Sequence, residues 1–147
     1  MAEEATERIT VSATPDRCFA VADDIERYPE WAAAIKEVTI HERDDEGRPT
    51  LASFRAAAFG RSTTYTLAYD HRDVPRVLAW RLTKGDITTR LDGRYEFVPT
   101  GDGGTEVLYH LEVEFRVPIP GFIKMRAQSR ILSTALRELK ARVESSA

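Results

Sequence analysis

The sequence predicts a single α+β domain in which an antiparallel sheet of about six or seven strands is covered by one long C-terminal helix. Apolar residues alternate strictly over five positions from Val107 to Phe115, which is the period of a strand with one buried face. After two prolines, apolar residues recur at helical spacing from Phe122 to Val143. A sheet with one solvated face needs a cover on the other, and this helix is the available cover.

The first third of the chain is predicted to hold one strand and two short helices. Residues 8–12 alternate with period two, which indicates a strand. A threonine N-cap directly before Pro15 predicts the start of the first helix. Pro29 disfavours helical geometry at Tyr28, so we expect a kink there and a second short helix from Trp31 to Ile35.

The middle of the chain is predicted to be a series of strands joined by short turns. Such connections favour an antiparallel meander over parallel strands joined by helices. The first hairpin is expected to turn at residues 59–61. The chain has no repeat, low-complexity tract or linker, so we expect one domain over residues 1–147. The predicted strands span residues 38–41, 51–58, 63–70, 77–83, 88–98 and 106–117.

Charge and composition narrow the classes of partner. The 21 basic residues are scattered and the formal net charge is -3, so we expect no nucleic-acid partner. The single cysteine, Cys18, cannot form an intramolecular disulfide, and the acidic first residues do not resemble a signal peptide, so we expect a cytoplasmic location. No window approaches the roughly 18 apolar residues of a membrane span, so integral membrane association is not expected. Small molecules are therefore the expected partners.

Three segments and the order of the elements resemble the START-related helix-grip (SRPBCC) superfamily, in its polyketide cyclase/dehydrase and coenzyme-Q-binding branch. The segments are ADDIERYPEW, the GDGGTEV turn before the alternating strand, and the closing ALRELKARVE helix. The resemblance covers nearly the whole chain. It implies a helix-grip fold, with a curved sheet wrapped around the C-terminal helix, an apolar tunnel between them and the two short helices at its mouth. The superfamily hosts enzymes, carriers and regulators, so the resemblance specifies fold more closely than function.

A set of mainly aromatic residues is the candidate ligand-binding site. The resemblance implies that Tyr28 and Trp31 stand at the tunnel mouth, and the alternative is that both fill the core at that end. In the strands, period two can turn several tyrosines inward, and their hydroxyls on an apolar wall suit a flat, partly oxygenated apolar ligand. The alternative is that these residues are core and that their hydroxyls have no ligand. The strand candidates are Phe54, Tyr65, Leu67, Tyr69, Tyr95, Tyr109 and Leu111.

The strand around Trp80 supports two interpretations. Leu78, Trp80 and Leu82 share one face by alternation, which puts Arg81 on the solvent face. Resemblance to the aromatase/cyclases, whose tunnels carry an arginine on this strand, implies instead that Arg81 faces the ligand as a catalytic residue.

Two functions follow from the resemblance. The first is binding of an apolar small molecule, such as a polyketide intermediate, quinone or lipid, in the tunnel. The alternative is a polyketide cyclase/dehydratase in which Arg81 and tyrosine hydroxyls stabilise a developing enolate. The aromatase/cyclases carry a second arginine whose ungapped match here is Tyr69, and Arg72 reaches that place only if the alignment is shifted. Two polar positions that they use are occupied here by Ile35 and, approximately, Ala135, so binding is favoured.

No cofactor or metal is expected. The sequence has no HExxH, CxxC or clustered His/Cys pattern. The three histidines, His41, His71 and His110, are far apart in sequence and are expected at the surface. An exposed strand edge is compatible with either a monomer or a homodimer.

Overall fold

The structure is a computed structural model that describes residues 4–58 and 60–145. Within these residues the chain forms seven strands and three helices. The strands are β1 (Ala5–Val11), β2 (Ile35–Arg43), β3 (Pro49–Ala58), β4 (Arg61–Asp70), β5 (Val77–Gly85), β6 (Thr88–Pro99) and β7 (Thr105–Phe115). The helices are α1 (Pro15–Asp23), α2 (Tyr28–Trp31) and α3 (Gly121–Ser145), with a 3-10 turn at Ile25–Arg27.

All seven strands form one antiparallel sheet in the order β1-β7-β6-β5-β4-β3-β2. Strands β2 to β7 follow one another as a meander, and β1 pairs with β7, so the first and last strands are neighbours. Register shifts interrupt the β2–β3, β4–β5 and β6–β7 ladders, and such bulges bend a sheet. The predicted α+β helix-grip architecture is confirmed.

Helix α3 covers only one side of the sheet. It packs mainly against β1, β7 and α1, and its buried face is formed by every third or fourth residue. The inner face of β2 to β5 is therefore not packed directly against α3. The buried residues of α3 are Gln128, Leu132, Leu136, Leu139 and Val143.

The start of the chain folds largely as predicted, except for the second short helix. The side chain of Thr14 caps α1 by accepting a hydrogen bond from the backbone N–H of Arg17 at 3.4 Å. The prediction of a helix from Trp31 to Ile35 is wrong, because α2 ends at Trp31 and β2 begins at Ile35. Tyr28 has helical dihedral angles (φ -51°, ψ -40°) and begins α2. Pro29 is compatible with the first turn of this helix, because the backbone N–H that a proline lacks is not used there.

The turn expected between β3 and β4 is present. Gly60 has a φ of 75°, a conformation that glycine adopts without strain. Phe59, which was predicted to lie in the same turn, falls outside the described residues.

Candidate functional site

The aromatic candidates are brought together by strand register. Phe54 of β3 lies opposite Tyr65 of β4, and Tyr95 of β6 lies opposite Tyr109 of β7. Trp80 of β5 lies opposite Gly93 of β6. Gly93 has no side chain, and a Cβ at this position would lie only 2.8 Å from Cζ2 of the Trp80 ring. The glycine therefore leaves room for the indole on the inner face.

These rings form two connected groups on the inner face of the sheet. Beside α2, ring centroids are separated by 5.1 Å for Tyr28 and Trp31, and by 6.3 Å for Tyr28 and Phe54. The Phe54 and Tyr65 rings stack at 5.3 Å with an angle of 20° between their planes. This group forms a continuous wall from α2 to β3 and β4.

The second group lies at the centre of the sheet. The Trp80 ring is 5.4 Å from Tyr95, 5.7 Å from Tyr109 and 6.1 Å from Tyr69. Tyr95 and Tyr109 are 4.6 Å apart. Aromatic pairs at such separations attract each other beyond the burial of their area, so these rings hold one another in place.

The two leucine candidates are buried on the same face. Leu67 is 5% exposed and Leu111 is 1% exposed. Leu111 lies beneath α3, where the side-chain amide of Gln128 donates a hydrogen bond to its carbonyl at 3.3 Å. Leu111 therefore belongs to the packed side of the interior, and Leu67 belongs to the side that α3 leaves uncovered.

The tyrosine hydroxyls differ in their partners. The hydroxyl of Tyr28 donates a hydrogen bond to the carbonyl of Ala22. No hydrogen bond links the hydroxyls of the other four tyrosines to any residue that the structure describes. None of these four oxygens is among the fully buried polar atoms that lack a partner, so each reaches a space large enough for a water-sized group. The four are Tyr65, Tyr69, Tyr95 and Tyr109.

All five tyrosines of the chain lie in this interior and share one electrostatic property. Burial raises the pKa of every one of them above the ordinary value of about 10. Nearby tyrosines raise it further for Tyr28, Tyr69, Tyr95 and Tyr109. At neutral pH each hydroxyl is therefore protonated and can donate a hydrogen bond.

An acid–histidine pair closes the end of the interior beside α1. The expected surface position of His71 is wrong, because its side chain is only 6% exposed and its Nε2 lies 2.9 Å from Oδ1 of Asp23. The imidazole stacks on Tyr69 with 6.5 Å between ring centroids. Burial raises the pKa of Asp23, and the hydrogen bond with His71 opposes this shift. The Nδ1 atom of His71 is buried without a partner in the described part of the chain.

His110 is also covered, although it lies on the outer face of the sheet. It is 8% exposed, and its ring nitrogens lie 2.8 Å from both Thr6 Oγ1 and Glu96 Oε1. These partners belong to the neighbouring strands, so His110 joins three strands rather than facing solvent freely.

Comparison with known proteins identifies the family. A family model described as polyketide cyclase / dehydrase and lipid transport matches residues 2–144. The chain belongs to this family. No curated protein matches it.

Solved structures show the same fold over almost the full length of the chain. A START superfamily protein from Mycobacterium smegmatis is 26% identical with a TM-score of 0.93, over 98% of this chain and 99% of that chain. The Zhui aromatase/cyclase from Streptomyces sp. R1128 is 16% identical with a TM-score of 0.85, over 98% and 94%. A protein from Thermus thermophilus is 20% identical with a TM-score of 0.79, over 99% of both chains. The family match and the likeness to the START superfamily protein confirm the predicted superfamily.

Within this family member, Arg81 is not part of the interior. It is exposed, lies opposite Ala68 on β4, and shares the outer face of β5 with Ala79 and Thr83. The orientation implied by the resemblance is therefore wrong, because alternation turns Trp80 inward and its neighbour outward. Arg81 borders an open concavity of about 700 Å³ whose lining also includes Tyr69, His71 and Trp80.

The described residues include neither a metal-binding cluster nor a membrane-spanning helix. No group of three or more His, Cys, Asp or Glu side chains there is arranged to hold a metal ion. None of the helices in the described ranges is long and apolar enough to cross a bilayer.

Proposed function

We propose that the protein binds a flat, partly oxygenated apolar molecule between the inner face of the sheet and α3. The observation that carries this proposal is the set of four tyrosine hydroxyls that have no hydrogen-bond partner among the described residues and reach accessible space. A hydroxyl in an apolar environment is unfavourable unless it is hydrogen-bonded. Carbonyl or ether oxygens of a ligand would accept hydrogen bonds from these protonated donors. A polyketide intermediate, a quinone or an oxygenated lipid has this chemistry.

The shape of the wall supports a planar ligand. The Phe54 and Tyr65 rings lie within 20° of parallel, and the Tyr95 and Tyr109 rings within 37°. Flat molecules pack well against such faces. Leu67 adds apolar surface between the two aromatic groups. All nine residues predicted from the sequence thus belong to the proposed binding region, with Leu111 on its packed side.

Contacts with α3 hold α2 and the segment that follows it in place. The backbone N–H of Ala33 donates a hydrogen bond to Glu138 at 3.1 Å, and Arg142 donates to Glu30 at 2.7 Å. These contacts hold Tyr28 and Trp31 beside the α3 helix. We propose that the two aromatics form the rim past which the ligand enters.

Binding is favoured over the alternative, a cyclase or dehydratase. Cyclisation of a polyketone needs an acid or base in contact with the ligand and a group that stabilises the enolate. The Arg81 guanidinium lies on the other face of the sheet. The Asp23–His71 pair is closer to the tyrosines, since the His71 ring contacts Tyr69. However, the Nδ1 atom of His71 is fully buried, so a ligand in the accessible space would not contact it.

The first test is to identify what the protein carries. We expect native mass spectrometry of protein purified from its own host to show a mass above that of the polypeptide. Denaturing extraction should then release an apolar, oxygenated compound. Protein that is empty, and that also binds none of a panel of fluorescent apolar probes, would contradict the proposal.

A matched pair of variants locates the binding region. Tyr65→Trp should fill the space beside Phe54 and weaken binding of the extracted compound, or of an anilinonaphthalene probe, at least about tenfold. Thr64→Trp adds the same side chain one residue away on the exposed outer face and should leave binding unchanged. Both variants should keep the circular dichroism spectrum of the wild type. Equal affinities for the two variants would place the binding region elsewhere.

Incubation of the compound with catalytic amounts of protein separates the two functions, because only an enzyme would convert it over many turnovers.

A further inference from the structure

The N-terminal end of α3 and the loop before it expose bulky apolar side chains. Val117 is 65% exposed, Phe122 is 72% exposed and Ile123 is 48% exposed. The described residues include one other large apolar side chain of comparable exposure, Val98 at 41% on β6. Three such side chains within seven residues make this segment a candidate interaction site, because exposed apolar patches mark such sites.

The same segment carries positive charge and has no acidic residue of its own. Residues 116–130 contain four basic residues and no acidic one, although the whole chain has a net charge of -3. Arg126 and Arg130 follow Phe122 at four-residue intervals, so the three side chains share one exposed face of the helix. Neither arginine has an ion pair or hydrogen-bond partner among the residues described.

The other two basic residues of the segment are already engaged. The guanidinium of Arg116 donates to the carbonyls of Gly85 and Asp86 at 2.7 and 3.0 Å. Lys124 lies 2.8 Å from Glu114. These contacts anchor the segment to the sheet, and Arg126 and Arg130 remain available to an outside partner.

The segment lies at the end of the interior opposite the Asp23–His71 pair. Arg116 contacts the β5–β6 turn, and Phe115 pairs with Thr88 at the start of β6. The antiparallel register places the β3–β4 turn at the same end, because Tyr65 pairs with Gly85. Helix α1 packs at the other end, where Phe19 contacts Phe97 with 6.2 Å between ring centroids.

We propose that Val117, Phe122, Ile123, Arg126 and Arg130 form a docking surface for an anionic lipid bilayer. Bulky apolar side chains that project from a helix end can enter the boundary between headgroups and acyl chains, and flanking guanidinium groups bind lipid phosphates. Three protruding side chains suit insertion into a soft surface. A protein partner usually requires about 800 Å² on each side. The attachment is peripheral and does not depend on the proposed ligand.

Vesicle sedimentation tests this docking surface. The full-length protein should sediment with vesicles of phosphatidylcholine mixed with phosphatidylglycerol, and much less with phosphatidylcholine alone. Added salt should weaken the binding, because screening reduces attraction between exposed charges. The double variant Phe122→Ser/Ile123→Ser and the double variant Arg126→Glu/Arg130→Glu should each lower partitioning. For the charge variant we expect at least about a tenfold loss, since each basic residue near an anionic surface contributes about fivefold.

Matched variants elsewhere on the surface serve as controls. Val98→Ser removes an exposed apolar side chain outside the segment, and Arg76→Glu/Arg81→Glu reverses two exposed arginines on the β4–β5 side of the molecule. Both should partition like the wild type, and circular dichroism should be unchanged throughout.

Three results would overturn the docking proposal. The first is wild-type protein that does not bind anionic vesicles, and the second is equal loss in the test and control variants. The third is a concentration-dependent dimer that the Phe122→Ser/Ile123→Ser variant abolishes while vesicles remain unbound, which would assign the surface to self-association. Uptake of the apolar probe is measured in parallel, so a failure here is separate from a failure of ligand binding.

Discussion

The hydroxyl of Tyr28 differs from those of the other tyrosines because it already has a protein partner. Its removal in Tyr28→Phe leaves the carbonyl of Ala22 without that hydrogen bond. We expect the free energy of unfolding to fall by about 1 kcal/mol. In Tyr95→Phe the lost hydroxyl has no hydrogen-bond partner among the described residues, so stability should stay within about 0.5 kcal/mol of the wild type. Denaturant unfolding of both variants measures the difference.

The same two variants should differ in ligand affinity in the opposite sense to their difference in stability. Tyr95→Phe removes a donor that the proposed ligand would use, so its affinity should fall, whereas Tyr28→Phe should bind nearly as well as the wild type. If Tyr95→Phe were the less stable variant and bound ligand normally, its hydroxyl would be structural, and the tyrosines would be core residues.

The Asp23–His71 pair couples two distant parts of the chain. His71→Ala leaves a partly buried carboxylate without its hydrogen-bonding partner, and we expect a loss of about 2 kcal/mol. Asp23→Asn should lose less, because an amide can still bond the imidazole and carries no charge to desolvate. A double-mutant cycle by denaturant unfolding should give a coupling energy above about 0.5 kcal/mol. Additive losses would mean that the two side chains do not stabilise each other.

At the scale of the elements, the central strands depend on a glycine. A Cβ at Gly93 would lie 2.6 Å from the carbonyl oxygen of His110 and 2.8 Å from the Trp80 ring. Gly93→Ala must therefore move β7 or the indole, and we expect a loss of about 1–3 kcal/mol in the free energy of unfolding. Gly121→Ala is the matched control, because nothing lies within 4 Å of a Cβ there. It should be neutral or stabilising, since alanine favours a helix. Equal effects would mean that Trp80 yields freely.

The elements themselves were predictable where a single local rule decides. Strict alternation placed Tyr65, Leu67 and Tyr69 on one face, because a strand turns every second side chain the same way. The second short helix was misplaced, because Pro29 can either end a helix or stand in its first turn. Which of these occurs depends on where Tyr28 packs, and that contact with Phe54 joins residues 26 positions apart in the sequence.

At the scale of the whole molecule, the surroundings of the candidate site could not be predicted from the sequence. His71 could not be recognised as buried, because its partner Asp23 lies 48 residues earlier. The helical stripe that begins at Phe122 was recognisable, but not that its first turn is exposed. Periodicity identifies the face of a helix, and it contains no information about where the covered surface ends.

The five tyrosines also give the folded molecule a shared response to alkali. In the unfolded chain each hydroxyl ionises near pH 10, whereas burial raises the pKa of each in the folded protein. Their contribution to stability is therefore fully present below about pH 10 and is lost as the pH rises further, by up to about 1.4 kcal/mol per pH unit for each tyrosine. We expect tyrosinate absorbance to stay flat beyond pH 10 and then to rise for all five together as circular dichroism reports unfolding. The denatured protein, as control, should titrate gradually around pH 10. Gradual ionisation with the fold intact would show that the hydroxyls are in bulk-like water, and an interior able to desolvate a ligand would then be excluded.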